Sequence, residues 1–155
     1  EPTSAVDPQN CRDFWEGLFE LANAGTTILV STHYMDEATR CHRLAILDRG
    51  VKVADGSPKE LGDRMDSIVL EVIADNPNAA RNCLVGEPAI SSVTQLGIRL
   101  RVLVPKAGFD PQSATALVRA RLEQSQVFAQ VDAVAPDLED VFVTVTRAHK
   151  RDAAS

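Results

Sequence analysis

Residues 26–38, TTILVSTHYMDEA, constrain the fold of this chain more than any other stretch. Ile28, Leu29 and Val30 form a short apolar, β-branched run with no polar alternation. That pattern predicts a strand buried on both faces, as in a parallel sheet covered by helices. The run ends abruptly in Ser31, Thr32 and His33, and a helix-like segment follows at once. In open α/β sheets, ligands sit just beyond the carboxyl ends of the strands. His33 therefore stands where such a sheet presents its chemistry. The spacing fits a second reading equally well, in which Ser31 and Thr32 cap the next helix and His33 merely rides on the turn.

The flanking residues extend this frame. Residues 1–7 read as a loop, and Asp7-Pro8 as a helix start, with a carboxylate cap and proline at the first helical position. Cys11, Phe14, Trp15, Leu18, Leu21 and Ala22 follow at helical spacing, which makes Trp15 a core residue rather than a binding platform. Gly25 suits the left-handed position that ends a helix. A helix followed closely by a strand is half of a βαβ unit. After His33 the pattern predicts a helix over 35–42. A strand at 44–47, a turn at Asp48-Arg49-Gly50, and a hairpin partner at 51–53 come next. Ser57-Pro58-Lys59-Glu60 has the form of a capping box.

Beyond Leu61 and a polar joint at 62–66 the pattern changes. Residues 67–74, SIVLEVIA, predict a strand. Asn76-Pro77 opens a helix to Leu84, two strands flank Leu96-Gly97 at 90–95 and 98–104, Asp110-Pro111 opens a second helix, and 127–134 is a fourth strand. The order β-α-β-β-α-β is that of a split βαβ, ferredoxin-like domain. A last helix is expected from Pro136-Asp137, with Asp137 as its cap, and the polar tail at 149–155 is expected to fray.

Composition excludes some functions. With 155 residues, 45% apolar and 25% charged, the chain can build one or two small cores. The net charge of −6, without a basic cluster, argues against nucleic acid as a partner. No apolar run has membrane-spanning length and no signal peptide is evident, so the chain is expected to be soluble. Cys11, Cys41 and Cys83 are odd in number and widely spaced, which fits a reducing cytoplasm rather than a disulfide framework. They also lack the spacing of zinc ligands, so no metal site is expected, and Cys11 and Cys41 read as small core residues. The chain begins on Glu1 rather than Met and is expected to be a piece of a longer protein.

Taken in combination, EPTSAVDP, the helix, the strand running into STHYMDEA, the DRG turn and GSPKEL resemble the last third of an ABC-type ATPase domain. The resemblance is closest to the exporter branch that moves drugs, antibiotics or lipids through a separate membrane subunit. It implies that residues 1–64 belong to the ATPase domain and 65–155 to a C-terminal extension ending in the LEDVF helix. The implied fold is therefore α/β, a partial P-loop NTPase sheet followed by a ferredoxin-like α+β domain. By this resemblance Glu1 matches the glutamate that follows the magnesium-binding aspartate, Ser4-Ala5-Val6-Asp7 match the D-loop at the dimer interface, and His33 matches the switch histidine at the γ-phosphate. The implied cofactors are ATP and Mg2+. The implied partners are a membrane-spanning subunit and a second ATPase domain, in dimer or in tandem, at the cytoplasmic face of the membrane.

Physical chemistry is consistent with those roles. Phosphoryl transfer needs positioning and charge stabilisation more than covalent chemistry. A carboxylate can orient or deprotonate the attacking water, and a histidine can donate a hydrogen bond to developing phosphate charge. The chain has no GxxxxGK[ST] loop, no Ser-Gly-Gly signature and no magnesium aspartate. It thus lacks the cradle of backbone N–H groups that holds phosphate, and alone it is expected to be inactive. The alternative is a stand-alone regulatory or binding module with a ferredoxin-like fold and no catalysis.

Overall fold

Four helix starts are written into the sequence as a capping side chain followed by proline, and the structure uses all four. A capping side chain supplies an acceptor for N–H groups that have no partner in the first turn, and proline there loses no hydrogen bond. The computed structural model describes residues 7–152, which hold six helices and six strands. They divide into two compact units, Glu1–Arg40 and Cys41–Ser155.

In the first unit, helix α1 (Pro8–Asn23) begins at Asp7, whose carboxylate accepts from the N–H groups of Gln9 and Asn10 at 3.0 and 3.1 Å. Trp15 is buried at 5% exposure, and Cys11, Leu18 and Ala22 beside it are half-buried. Phe14 and Leu21, expected in the same stripe, are exposed at 38% and 52%. The helix ends in a Schellman arrangement. Thr26 N–H donates to Leu21 O and Gly25 N–H to Ala22 O, both at 3.0 Å, with Gly25 at φ 94°.

The strand expected over 26–30 does not form as drawn from the sequence. The segment carries no strand, Leu29 is 98% exposed, and Ile28 and Val30 are half-buried. A strand exists only through hydrogen bonds to a neighbour, and no strand among the described residues pairs with this one. The parallel half-sheet of the sequence reading is therefore not seen among the described residues. Both sheets that are seen are antiparallel. Helix α2 (Met35–Ala38) is also shorter than the expected 35–42. Arg40 N–H bonds to Glu37 O, three residues back, and Thr39 Oγ1 bonds to Asp36 O at 2.7 Å, which tightens and ends the turn.

The second unit opens with the hairpin of β1 (Leu44–Asp48) and β2 (Val51–Gly56). Its two-residue loop has positive φ at both Arg49, 51°, and Gly50, 79°, as a type I′ turn requires. Helix α3 (Pro58–Asp63) follows with the expected capping box. Glu60 N–H donates to Ser57 Oγ at 3.2 Å, and Ser57 N–H donates to Glu60 Oε2 at 2.9 Å.

Next come β3 (Ser67–Ala74), α4 (Pro77–Leu84), β4 (Ser92–Leu96), β5 (Arg99–Pro105), α5 (Pro111–Gln124) and β6 (Ala129–Val134). The four strands form one antiparallel sheet in the order β4-β5-β3-β6. Alternation sets its two faces. Leu70 and Val72 of β3, Leu100, Val102 and Val104 of β5 and Val131 of β6 face α4 and α5, which add Leu84, Val118 and Leu122 to a fully buried core. The opposite face carries Val69, Leu103 and Arg101 and receives the closing helix α6 (Leu138–Asp152). That helix has its expected cap: Asp140 N–H donates to Asp137 Oδ1 at 2.9 Å, and Asp137 N–H donates to Asp140 Oδ2 at 3.0 Å. It runs past the point where fraying was expected, because His149 is held at 2.8 Å from Asp48 Oδ2 at the end of β1.

Candidate functional site

His33 lies on the exposed loop between the extended 26–32 segment and α2. Its ring packs on that of Tyr34, with centroids 4.1 Å apart and the planes tilted by 37°. The loop itself is tied at both ends. Thr32 Oγ1 donates to Glu37 Oε2 at 2.5 Å and accepts from Tyr34 N–H at 3.0 Å. Thr32 thus orders the turn, but neither Ser31 nor Thr32 caps α2 as the second reading held: the cap position is Tyr34, with no side-chain cap bond. His33 itself is exposed.

Asp7 is the other predicted site residue among those described. It caps α1, and the bond from Asn10 N–H above all holds its carboxyl below the usual carboxylate range. Glu1, Ser4, Ala5 and Val6 lie outside the described residues. Among the described residues no group of three or more His, Cys, Asp or Glu gathers as metal ligands would. The three cysteines are half-buried.

Two features escape the sequence reading. Glu37 is a carboxylate at 6% exposure, although the string MDEA gives no sign of which acid turns inward. The second is a charge cluster beneath α6. Arg101 donates through Nε to Asp140 Oδ1 at 3.3 Å, through its terminal nitrogen to Asp140 Oδ2, and lies 3.1 Å from Asp137 Oδ2. Burial alone would push the guanidinium down, but the hydrogen bond and charge of Asp140, with Asp137 and Glu71, carry it above its ordinary value. The only trace in the sequence is the acidic pair inside LEDVF.

No protein-family model matches the chain. Curated relatives do. It is 36% identical over 154 residues to the Nod factor export ATP-binding protein I of Paraburkholderia xenovorans (strain LB400), covering 98% of this chain and 47% of the relative. The protein of the same name from Ralstonia nicotianae is 36% identical over 155 residues, covering 98% of this chain and 46% of the relative. That from Rhizobium etli is 35% identical over 148 residues, covering 94% and 43%. The chain spans about half the length of the curated relatives it matches. The STHYMDEA and DRG–GSPKEL strings lie inside the matched region, and these relatives fit the reading of the chain as a C-terminal piece of an ABC-type ATPase subunit.

Proposed function

We propose that this chain is the C-terminal part of the ATP-hydrolysing subunit of an ABC-type exporter. That subunit couples hydrolysis to efflux of a drug, antibiotic or lipid through a separate membrane-spanning subunit. The observation that carries the reading is the match of nearly the whole chain to ATP-binding export proteins. Nod factor, named in those relatives, is one cargo the reading admits. No helix among the described residues is long and apolar enough to cross a membrane, in keeping with a subunit that works beside a membrane partner at the cytoplasmic face.

In this reading the end of an ATPase domain occupies 1–64, and 65–155 is an appended ferredoxin-like domain. The βαββαβ order and the strand arrangement β4-β5-β3-β6 support the latter. His33 fits a contact to the terminal phosphate of ATP, being exposed at the tip of a tied loop. It donates a hydrogen bond where charge builds during transfer. Glu1 orients the attacking water. Residues 4–7 lie against a second ATPase domain, a role compatible with the cap Asp7 provides. ATP supplies the phosphoryl group, and the groups that bind it and Mg2+ most tightly lie outside this sequence.

The test separates binding from turnover. In the complete subunit, His33→Ala and Glu1→Gln should leave ATP binding near normal while turnover falls about a hundredfold or more. Near-normal turnover in either variant removes that residue from the reaction. The isolated chain should bind no ATP in a titration with a fluorescent analogue, and micromolar binding there would overturn the division of labour.

A further inference from the structure

We infer that Thr32 and Glu37 form a positioning pair that aims His33 at the transferring phosphate. The inference rests on the reading of His33 as a phosphate contact and adds how the loop is held. A hydroxyl has one proton and two lone pairs. Thr32 gives its proton to Glu37 Oε2, 2.5 Å away, and its oxygen is thereby turned to accept Tyr34 N–H at 3.0 Å. These two bonds bracket His33, one closing the chain from 32 to 34 and the other from 32 to 37. The His33 ring then lies on the Tyr34 ring, 4.1 Å away.

Glu37 is suited to this task by its place. It sits in the single turn of α2, five residues beyond the Thr32 that it holds. At 6% exposure it is one of the buried charged residues among those described. A buried carboxylate persists only when it is hydrogen-bonded, and a charged acceptor makes the stronger bond. Without Thr32 Oγ1 the Tyr34 N–H loses this acceptor, and the backbone at His33 gains freedom. A misplacement of about an ångström at a reacting group costs up to about a hundredfold in rate.

The experiment compares Thr32→Val, Glu37→Ala and Glu37→Gln in the complete subunit with its membrane partner, each alone and combined with His33→Ala. Thr32→Val and Glu37→Ala should each lower kcat by about tenfold with the KM for ATP unchanged, as expected of a loss of alignment rather than of binding. Glu37→Gln, whose carboxamide oxygen still accepts from Thr32, should recover most of the loss. In the His33→Ala background neither change should lower turnover further. Full activity of Thr32→Val and Glu37→Ala beside a crippled His33→Ala would overturn the positioning role and leave the phosphate reading intact. Additive losses on the His33→Ala background would also overturn it. Normal turnover of His33→Ala would instead sink the phosphate reading itself. Should Glu37→Ala fail to fold, Thr32→Val and Glu37→Gln carry the same comparison.

Discussion

Arg101 and Asp140 show how much a single buried charge can govern. Their side chains are 12% and 5% exposed, and they join the sheet to the closing helix across 39 residues of sequence. Taking two charges out of water is costly, and their attraction offsets that only while both are present. Asp140→Ala should therefore destabilise the second unit by about 3 kcal/mol, since it takes from Arg101 its most buried carboxylate and from α6 its reciprocal cap. The double change Arg101→Met with Asp140→Leu should cost far less, because apolar groups of similar volume replace the pair without leaving a charge behind. Urea titrations of the three proteins check this, and equal losses for single and double variants would argue that packing, not charge, is what matters there.

At the scale of elements, the helix starts are the best-encoded feature of the chain. Asp110 illustrates why. It accepts from Ser113 N–H at 2.8 Å and returns its own N–H to Ser113 Oγ at 2.9 Å, so the start of α5 is decided within four residues. The Ser113 N–H bond, with its side chain, holds the Asp110 carboxyl below its ordinary value. A carboxylate with a lowered folded pKa adds stability above its unfolded pKa and loses it as pH falls toward the folded one. Asp110→Ala should therefore lower the melting temperature at neutral pH, and the gap to the parent protein should close in acid below the ordinary aspartate range. A gap that stays constant with pH would mean that the cap acts without its charge.

The same scale explains what the sequence could not supply. Asp7-Pro8, Ser57-Pro58, Asn76-Pro77 and Asp110-Pro111 each mark the residue at which a helix begins. The six elements of the split βαβ order are likewise legible, with edges moved by one or two residues. Residues 26–30 failed as a strand because apolar, β-branched residues state only a readiness to pair, and pairing depends on a neighbour. The position of the His33 turn between an apolar run and a helix was legible, but its Thr32–Glu37 tie was not, since periodicity does not reveal which of two adjacent acids turns inward. The links from Arg101 to Asp140 and from Asp48 to His149 lie 39 and 101 residues apart, beyond the reach of any local pattern.

For the whole molecule, the packing of the second unit sets what can be separated. Residues 67–147 hold the four-stranded sheet, α4, α5 and most of α6, and with their buried core should fold alone, giving dispersed amide shifts. Helix α6 also packs on β1, β2 and α3, so its outer face is uncovered in that piece. Adding residues 41–66 should therefore raise the melting temperature of the fragment. No change on adding them would show that the hairpin and α3 are passengers rather than part of the fold.

The contact between His149 and Asp48 has a kinetic meaning. Its partners are 101 residues apart, and both are half-buried. Bringing such distant points together costs chain entropy, so this contact is expected to form after the rate-limiting barrier. An interaction absent from the transition state leaves the folding rate alone and slows escape from the native state. Asp48→Asn should then leave refolding near its parent rate while unfolding quickens roughly fivefold, the equivalent of about 1 kcal/mol for a pair of this exposure. Stopped-flow measurement of both limbs decides it, and a slowed refolding limb would instead make this contact part of the folding nucleus. The last turns of the chain would then act as a brake on unfolding, setting how long the native unit survives between openings.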